Sequence, residues 1–270
     1  MFDLDAYVER IGLRGRPTIA ELHRAHVSSI PFENIDPHRG VPVSLEPDAR
    51  WRKLVIDRRG GYCFEHNLLL RSALEALGAE VELLLARVRV GAPSGVARPR
   101  THLVLRVRAD GAVWHADVGF GTGTLLEPVP FGSEGVYEQS GWRFRTVHDR
   151  SEVVLQTADG REWKDLYGFV PEPVPLVDVE TSNWFTSTFP RSPFVTGLIV
   201  AVNRHDGTRL SLGNWEEPTL TEETPARVTR SRVERAAIPE LLASRFGLPG
   251  FALGASGRIV RVGDAVAADP

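Results

Sequence analysis

A change of texture at Gly78 constrains this chain more than any single motif. Before it, apolar residues recur at helical spacing. Leu4, Val8 and Ile11 form one stripe within Asp3–Gly12, and Gly12 is its stop. Thr18 caps Ile19–Ser28, and Glu21, three residues on, completes a capping box. Pro47–Asp57 predicts a further helix. Beyond the turn Arg58-Arg59-Gly60-Gly61, the residues Phe64, Leu68, Leu70, Ala73, Leu74 and Leu77 mark a helix over Cys63–Leu77, which Gly78 ends. After Gly78 the signals become those of strands. Val81–Val90 is rich in Leu and Val, and Gly91–Arg100 is a Gly/Pro/Ser loop. Asp110-Gly111, Asp159-Gly160 and Asp206-Gly207 are hairpin turn pairs, because Asp-Gly tolerates the positive φ such turns demand. Trp142–Val147 and Val153–Thr157 are short strand candidates, Pro171–Pro175 reads as a surface linker, and a helix is predicted near Pro239–Phe246. The plan is α+β: a helical N-terminal part, a β-rich middle and a mixed C-terminal part.

Composition removes several function classes. A length of 270 residues sets a prior between one and two domains. The 32 basic and 35 acidic residues leave a net charge of -3, and no basic stripe of the kind nucleic-acid binders carry is evident. No apolar run approaches the roughly 18 residues of a membrane helix. Met1-Phe2-Asp3-Leu4-Asp5 lacks the basic and apolar regions of a secretory leader, so a cytoplasmic protein is expected. Lys53 and Lys164 are the only lysines, so Schiff-base chemistry would have to use one of them. Cys63 is the only cysteine, which excludes an intrachain disulfide and a Cys-rich zinc site.

Cys63 has two readings. A lone cysteine is commonly a small buried hydrophobe. Here it opens a helix, where the dipole favours a thiolate, and it follows Arg59-Gly60-Gly61-Tyr62, whose glycines allow close approach to the backbone. A thiol nucleophile needs a base, and the base needs an orienting group. If Asp110 and Gly111 are the turn residues, counting outward sets Val104 opposite Asp117 and His102 opposite Gly119. His102 and Asp117 are then diagonal neighbours on one face, about 7–8 Å apart at the backbone. Gly119 leaves space beside them. Leu103, Leu105, Val107, Trp114, Ala116 and Val118 form the opposite, core face. His102 and Asp117 each also admit a purely structural role, and a register slip of one residue would separate them. His66 could form a Cys-x-x-His half-site, but no second half is evident, so no metal is expected. His115, opposite Arg106 on the Asp117 face, is expected to face solvent. Gly119-Phe120-Gly121-Thr122-Gly123 resembles a phosphate loop only superficially, since Glu127-Pro128-Val129-Pro130 follows instead of a helix; it can still line a cleft.

Four segments occur in order: Ile30-Pro31-Phe32-Glu33-Asn34, Arg59-Gly60-Gly61-Tyr62-Cys63-Phe64-Glu65-His66-Asn67, Thr101-His102-Leu103-Val104-Leu105 and Asp117-Val118-Gly119-Phe120-Gly121. In combination they resemble the arylamine N-acetyltransferase family, and the likeness runs from the start into Asn183–Phe194 and more loosely to the end. The resemblance implies a Cys63-His102-Asp117 triad of the cysteine-protease and transglutaminase-like kind. It implies a helical bundle over residues 1–80 carrying the cysteine, a β-barrel over 81–190 carrying the histidine and aspartate, and an α/β lid over 191–270. It supplies acetyl-CoA as acyl donor and a small aromatic amine or hydrazine as acceptor, as in xenobiotic metabolism. Thr101, Gly119, Phe120 and Gly121 are the expected binding residues. The Cys63 N–H and one from Gly119–Gly121 are expected to hold the oxyanion. Three other functions share these residues: an amide synthase that releases a polyketide chain from an acyl carrier protein as a macrolactam, a hydrolase using the same triad, and a catalytically dead binding module.

Overall fold

The computed structural model describes residues 2–92, 96–160, 162–255 and 257–263. The N-terminal part forms helices α1 (Leu4–Arg10), α2 (Ile19–Ser29), α3 (Ile35–His38), α4 (Pro47–Trp51) and α5 (Cys63–Ala76). A two-residue strand β1 (Phe32–Glu33) lies between α2 and α3, and a π-helical turn over Arg52–Ile56 continues α4. The helix boundaries have local causes. Asp3 Oδ1 accepts from the Ala6 N–H at 3.0 Å. Thr18 Oγ1 accepts from the Glu21 N–H at 3.3 Å while Glu21 Oε2 accepts from the Thr18 N–H at 2.8 Å, so the capping box is complete. Glu65 reaches back to the Tyr62 N–H at 3.1 Å and fixes the start of α5.

The middle part contributes β2 (Glu80–Val88), β3 (His102–Ala109), β4 (Ala112–Ala116), β5 (Val129–Pro130), β6 (Gly135–Gln139), β7 (Trp142–Asp149), β8 (Glu152–Asp159) and β9 (Glu162–Phe169). They form one sheet in the order β5-β4-β3-β2-β9-β8-β7-β6, curled into a nearly closed barrel. Gln139 ties the two ends together, accepting from the Leu126 N–H at 2.7 Å and donating to the Glu127 carbonyl at 2.9 Å. The β3–β4 turn is the one the sequence indicates. Ala109 pairs with Ala112 and Leu105 with Ala116, and Asp110 (φ 53°) and Gly111 (φ 74°) are both left-handed. In the β8–β9 hairpin Asp159 faces Glu162, and the intervening Arg161 lies outside the described residues. Asp206-Gly207 sits in a longer loop.

The C-terminal part adds α6 (Leu176–Thr188), α7 (Pro193–Thr196), β10 (Val200–Asn203), β11 (Arg209–Gly213), β12 (Thr219–Thr224), β13 (Arg227–Arg232), α8 (Ile238–Phe246), β14 (Phe251–Leu253) and β15 (Ile259–Arg261). Its five-stranded sheet runs β1-β10-β11-β12-β13. Phe32 of β1 pairs with Ala201, so the N-terminal segment supplies an edge strand to a sheet made otherwise of residues beyond 199.

Three apolar clusters hold these layers. Tyr7, Leu22, Phe64, Leu68 and Leu74 from the helices meet Leu103, Leu105, Val107 and Val118 on the outside of the barrel. Leu84, Val104, Phe144, Leu155, Tyr167 and Phe169 fill its inside. Ile35, Leu198, Val200, Leu212, Leu242 and Phe246 form the third. Truncating one such side chain to Ala costs about 2–5 kcal/mol, against about 1 kcal/mol for an N-cap. Packing, more than capping, therefore holds α5 on β3. The inside cluster also corrects one expectation. The His102 face of β3 is not a solvent face, because closure of the barrel buries it; His115, on that face of β4, is 1% exposed. Among the described residues no helix is long and apolar enough to cross a membrane.

Candidate active site

Cys63 is the first residue of α5 and is buried. Its N–H belongs to the first helical turn, whose donors have no intrahelical acceptor. The Sγ lies 3.6 Å from the Thr101 carbonyl, beside the start of β3. His102 follows as the first residue of that strand. Asp117 follows the last residue of β4, and the hairpin brings its Oδ2 to 2.8 Å from His102 Nε2. With Nε2 committed to Asp117, Nδ1 is the ring nitrogen left for the thiol.

Asp117 is fully buried and fully bonded. Oδ1 accepts from Asn67 Nδ2 and from the Gly119 N–H, both at 2.9 Å. Its N–H donates to His23 Nε2 at 3.2 Å, and its carbonyl accepts from Thr124 Oγ1 at 2.7 Å. Burial pushes its pKa up, but the His102 charge and these donors win and hold it below the usual carboxylate range. Burial likewise opposes the charge on His102. Asp117, with help from Cys63, outweighs it and raises the imidazole to about 10. The pair is therefore an imidazolium–carboxylate at neutral pH. Tyr167 and Phe120 pack on the His102 ring, with centroids 4.8 and 5.0 Å away.

Asn67 is the residue the sequence reasoning passed over. It lies one turn after Cys63, on the same face of α5. Its amide donates to Asp117 and to the Leu103 carbonyl (2.7 Å), and its Oδ1 accepts from the Val118 N–H (3.1 Å). One side chain thus locks the cysteine's helix to both strands that carry His102 and Asp117. A polar residue inside an apolar helical stripe was the available signal. His23 was also missed; it bridges the Asp117 N–H and the Leu126 carbonyl (3.1 Å), and burial lowers its pKa to about 4.

The glycines do something other than expected. They admit the protein's own chain. A Cβ on Gly60 would lie 2.0 Å from the Pro31 carbonyl oxygen, one on Gly61 2.7 Å from Glu65 Oε2, and one on Gly119 2.7 Å from Cys63 Cα. Gly119 is thus the contact that lets α5 approach the loop after Asp117, with no room for a side chain at this position. Its N–H is engaged by Asp117 and that of Phe120 by Thr124 Oγ1 (3.4 Å), so neither is free to hold an oxyanion. His66 is no half-site either. Nδ1 meets His26 Nε2 at 2.8 Å and Nε2 donates to the Pro31 carbonyl at 3.2 Å, so both nitrogens are engaged. Among the described residues no cluster of three or more His, Cys, Asp or Glu side chains is arranged to hold a metal. His115 bonds the Tyr167 hydroxyl at 3.1 Å inside the barrel.

A buried charge network braces the loop before Cys63. Arg59 pairs with Glu33 (2.7 Å) and Asp36 (2.9 Å), and Lys53 with Asp36 (2.9 Å) and Glu65 (2.8 Å). Lys53 is thereby committed to structure. Burial works against its charge, but Glu65, Glu33 and Asp36 hold its pKa above the ordinary lysine value.

Cys63 and His102 open onto a cavity of about 920 Å3 between the barrel and the C-terminal sheet. Thr101, Gly119, Phe120 and Gly121 all line it. Around this site the chain matches known proteins throughout. The sequence profile of the N-acetyltransferase family matches residues 17–250. The arylamine N-acetyltransferase of Mycolicibacterium smegmatis is 40% identical over 256 residues, covering 91% of this chain and 92% of that enzyme. The chain belongs to the arylamine N-acetyltransferase family. The Escherichia coli (strain K12) member is 33% identical over 250 residues, 91% of this chain and 88% of that one. The structure of the Mycobacterium marinum member in complex with CoA matches with a TM-score of 0.86 at 36% identity, over 91% of this chain and 93% of that chain. The α+β architecture is that of the family, and membership makes the chain an acyltransferase.

Proposed function

We propose that this chain transfers an acetyl group from acetyl-CoA to an aromatic amine or hydrazine through an acetyl-Cys63 intermediate. The observation that carries this is the 2.8 Å His102–Asp117 bond beside a cysteine at the head of a helix, with the cavity in front of it. The cavity lining suits an acyl-CoA. It joins Cys63 and His102 to aromatic Phe120 and Phe194 and to Arg98 and Arg191, cations of the sign that phosphate groups need.

In the first step Cys63 Sγ, as thiolate beside the His102 imidazolium, forms a bond to the thioester carbonyl carbon. The Cys63 N–H, at the positive end of α5, faces the charge that develops on oxygen. The carbon–sulfur bond to CoA breaks, and His102 gives its Nδ1 proton to the departing thiolate. In the second step the acceptor nitrogen attacks the acetyl carbon of Cys63, His102 takes the proton, and the Cys63 thiolate leaves. Asp117 keeps Nε2 oriented in both steps. An arylamine is unprotonated at neutral pH because its nitrogen is weakly basic, so it can attack without prior proton removal. A free catalytic thiol suits the reducing cytoplasm. The amide-synthase alternative finds no support among the relatives, which are named as acetyltransferases.

Steady-state kinetics test the two-step scheme. Varying acetyl-CoA at several fixed aniline concentrations should give parallel double-reciprocal lines. Intersecting lines would mean a ternary complex and no acyl-enzyme.

A further inference from the structure

We infer that Arg209 is an anion-binding residue of the active-site cavity, taking an oxyanion, carboxylate or phosphate, carried by one of the two substrates. The inference rests on the acetyltransferase reading and adds a recognition element to it. Arg209 opens β11 and lines the cavity that holds Cys63 and His102. It is 4% exposed, and its Nε and Nη2 are buried without a hydrogen-bond partner. The other buried arginines among the described residues each bond through at least one nitrogen, Arg10 to the Leu54 carbonyl at 2.8 Å, Arg59 to Glu33 at 2.7 Å and Arg50 to the Leu45 carbonyl, although the Nε of Arg50 and of Arg59 is also buried and unpartnered.

The surroundings explain what Arg209 lacks and what would supply it. Its Cζ stands 3.5 Å from the centre of the Trp142 ring and 5.7 Å from that of Phe144. Trp142 is itself fixed, its indole N–H donating to the Gly207 carbonyl at 2.7 Å. Stacking satisfies the face of a guanidinium and leaves the N–H groups in its plane, which are the ones that bind an oxyanion side-on. Glu223, the cross-strand neighbour, also lines the cavity and attracts the charge without forming an ion pair. Burial lowers the Arg209 pKa to about 9, so the group is still a cation at neutral pH. Asn203, opposite Arg209 in the β10–β11 pair, donates to the Gly121 carbonyl at 2.9 Å, and its Oδ1 is buried and unpartnered. A buried cation with unmet donors is costly in a native protein unless a ligand completes it.

The test is a two-by-two comparison of kcat/KM. Acetyl-CoA is set against S-acetylpantetheine, which lacks the phosphates, and 4-aminobenzoate against its methyl ester, which lacks the carboxylate. The expectation is that the protein prefers the anionic member of one pair at least tenfold, and that Arg209→Gln lowers that preference at least tenfold. The pair affected identifies the source of the anion. Equal preference in the variant and the unaltered protein, or a proportionate fall for all four combinations, overturns the inference. Should Arg209→Gln not fold, the Nε–H resonance of Arg209 in the unaltered protein is followed while benzoate or inorganic pyrophosphate is added. A saturable shift with one of them supports the site, and no shift with either overturns it. Acetyl loading of Cys63 is measured on the same samples. Loading without an anion preference defeats only the Arg209 inference, whereas no loading defeats the acetyltransferase reading and leaves the resonance titration to decide Arg209.

Discussion

At the scale of single residues, the proposed chemistry depends on two ionisable groups whose pKa values burial alone would move the other way. The His102 pKa is raised above its unfolded value near 6.5 to about 10. Its contribution to stability is fully present below pH 6.5 and is lost as pH rises toward 10. The Asp117 pKa is depressed, so its contribution is present above its unfolded value of 3.8 and is lost as pH falls through the lower folded value. The pair therefore stabilises the fold most between about pH 4 and 6.5. Asp117→Asn should cost about 3–5 kcal/mol in that window, since it breaks a buried pair. Denaturation of both proteins from pH 4 to 10 checks this: the difference should shrink above pH 7, and one that grows with pH would contradict the assignment. The same residues show what the sequence made legible. Hairpin counting aligned His102 and Asp117 because Asp110 and Gly111 are the two turn residues there; the same rule slips by one at Asp159-Gly160, where Asp159 pairs with Glu162, and fails at Asp206-Gly207, which lies in a longer loop. It misjudged His115, because alternation along one hairpin says nothing about whether the sheet closes over its second face.

At the scale of elements, the site is a matter of how closely α5 approaches the loop after β4. Gly119 and Asn67 set that distance. A methyl on Gly119 would sit 2.7 Å from Cys63 Cα, a backbone atom that cannot rotate away. Gly119→Ala should therefore displace Cys63 from His102 and lower kcat/KM by about 100-fold, the scale of a 1 Å misplacement. Assaying the variant beside its circular dichroism separates the outcomes: a folded variant with near-normal activity would show that the approach is not tight. The function of these glycines could not be read from the chain. A glycine that admits a ligand and one that admits the protein's own backbone look the same until the packing is known. The spans of α1, α2, α5 and α8, by contrast, were legible nearly to the residue, because caps and stops are local chemistry, whereas α6 (Leu176–Thr188) was not read at all: Pro175 at its N-cap offers no side-chain cap.

At the scale of the whole molecule, β1 ties the N-terminal part to the C-terminal sheet, and the loop that precedes Cys63 is bonded to β1 through the Glu33 N–H and the Gly61 carbonyl at 2.7 Å. The network of Glu33, Asp36, Lys53, Arg59 and Glu65 braces that junction, and no sequence spacing announces it because its members are brought together only by the fold. Lys53→Met would leave Glu65 and part of Asp36 uncompensated and should cost about 3–5 kcal/mol in stability, read from urea denaturation; a neutral effect would mean that the network is dispensable. The central claim concerns one bond formed on the intact protein. The most direct measurement is the mass of the whole chain after brief mixing with acetyl-CoA in the absence of an acceptor, for the unaltered protein and Cys63→Ala. A gain of one acetyl group in the unaltered protein alone, discharged by aniline, is the predicted result. No gain, or an equal gain in Cys63→Ala, would contradict it.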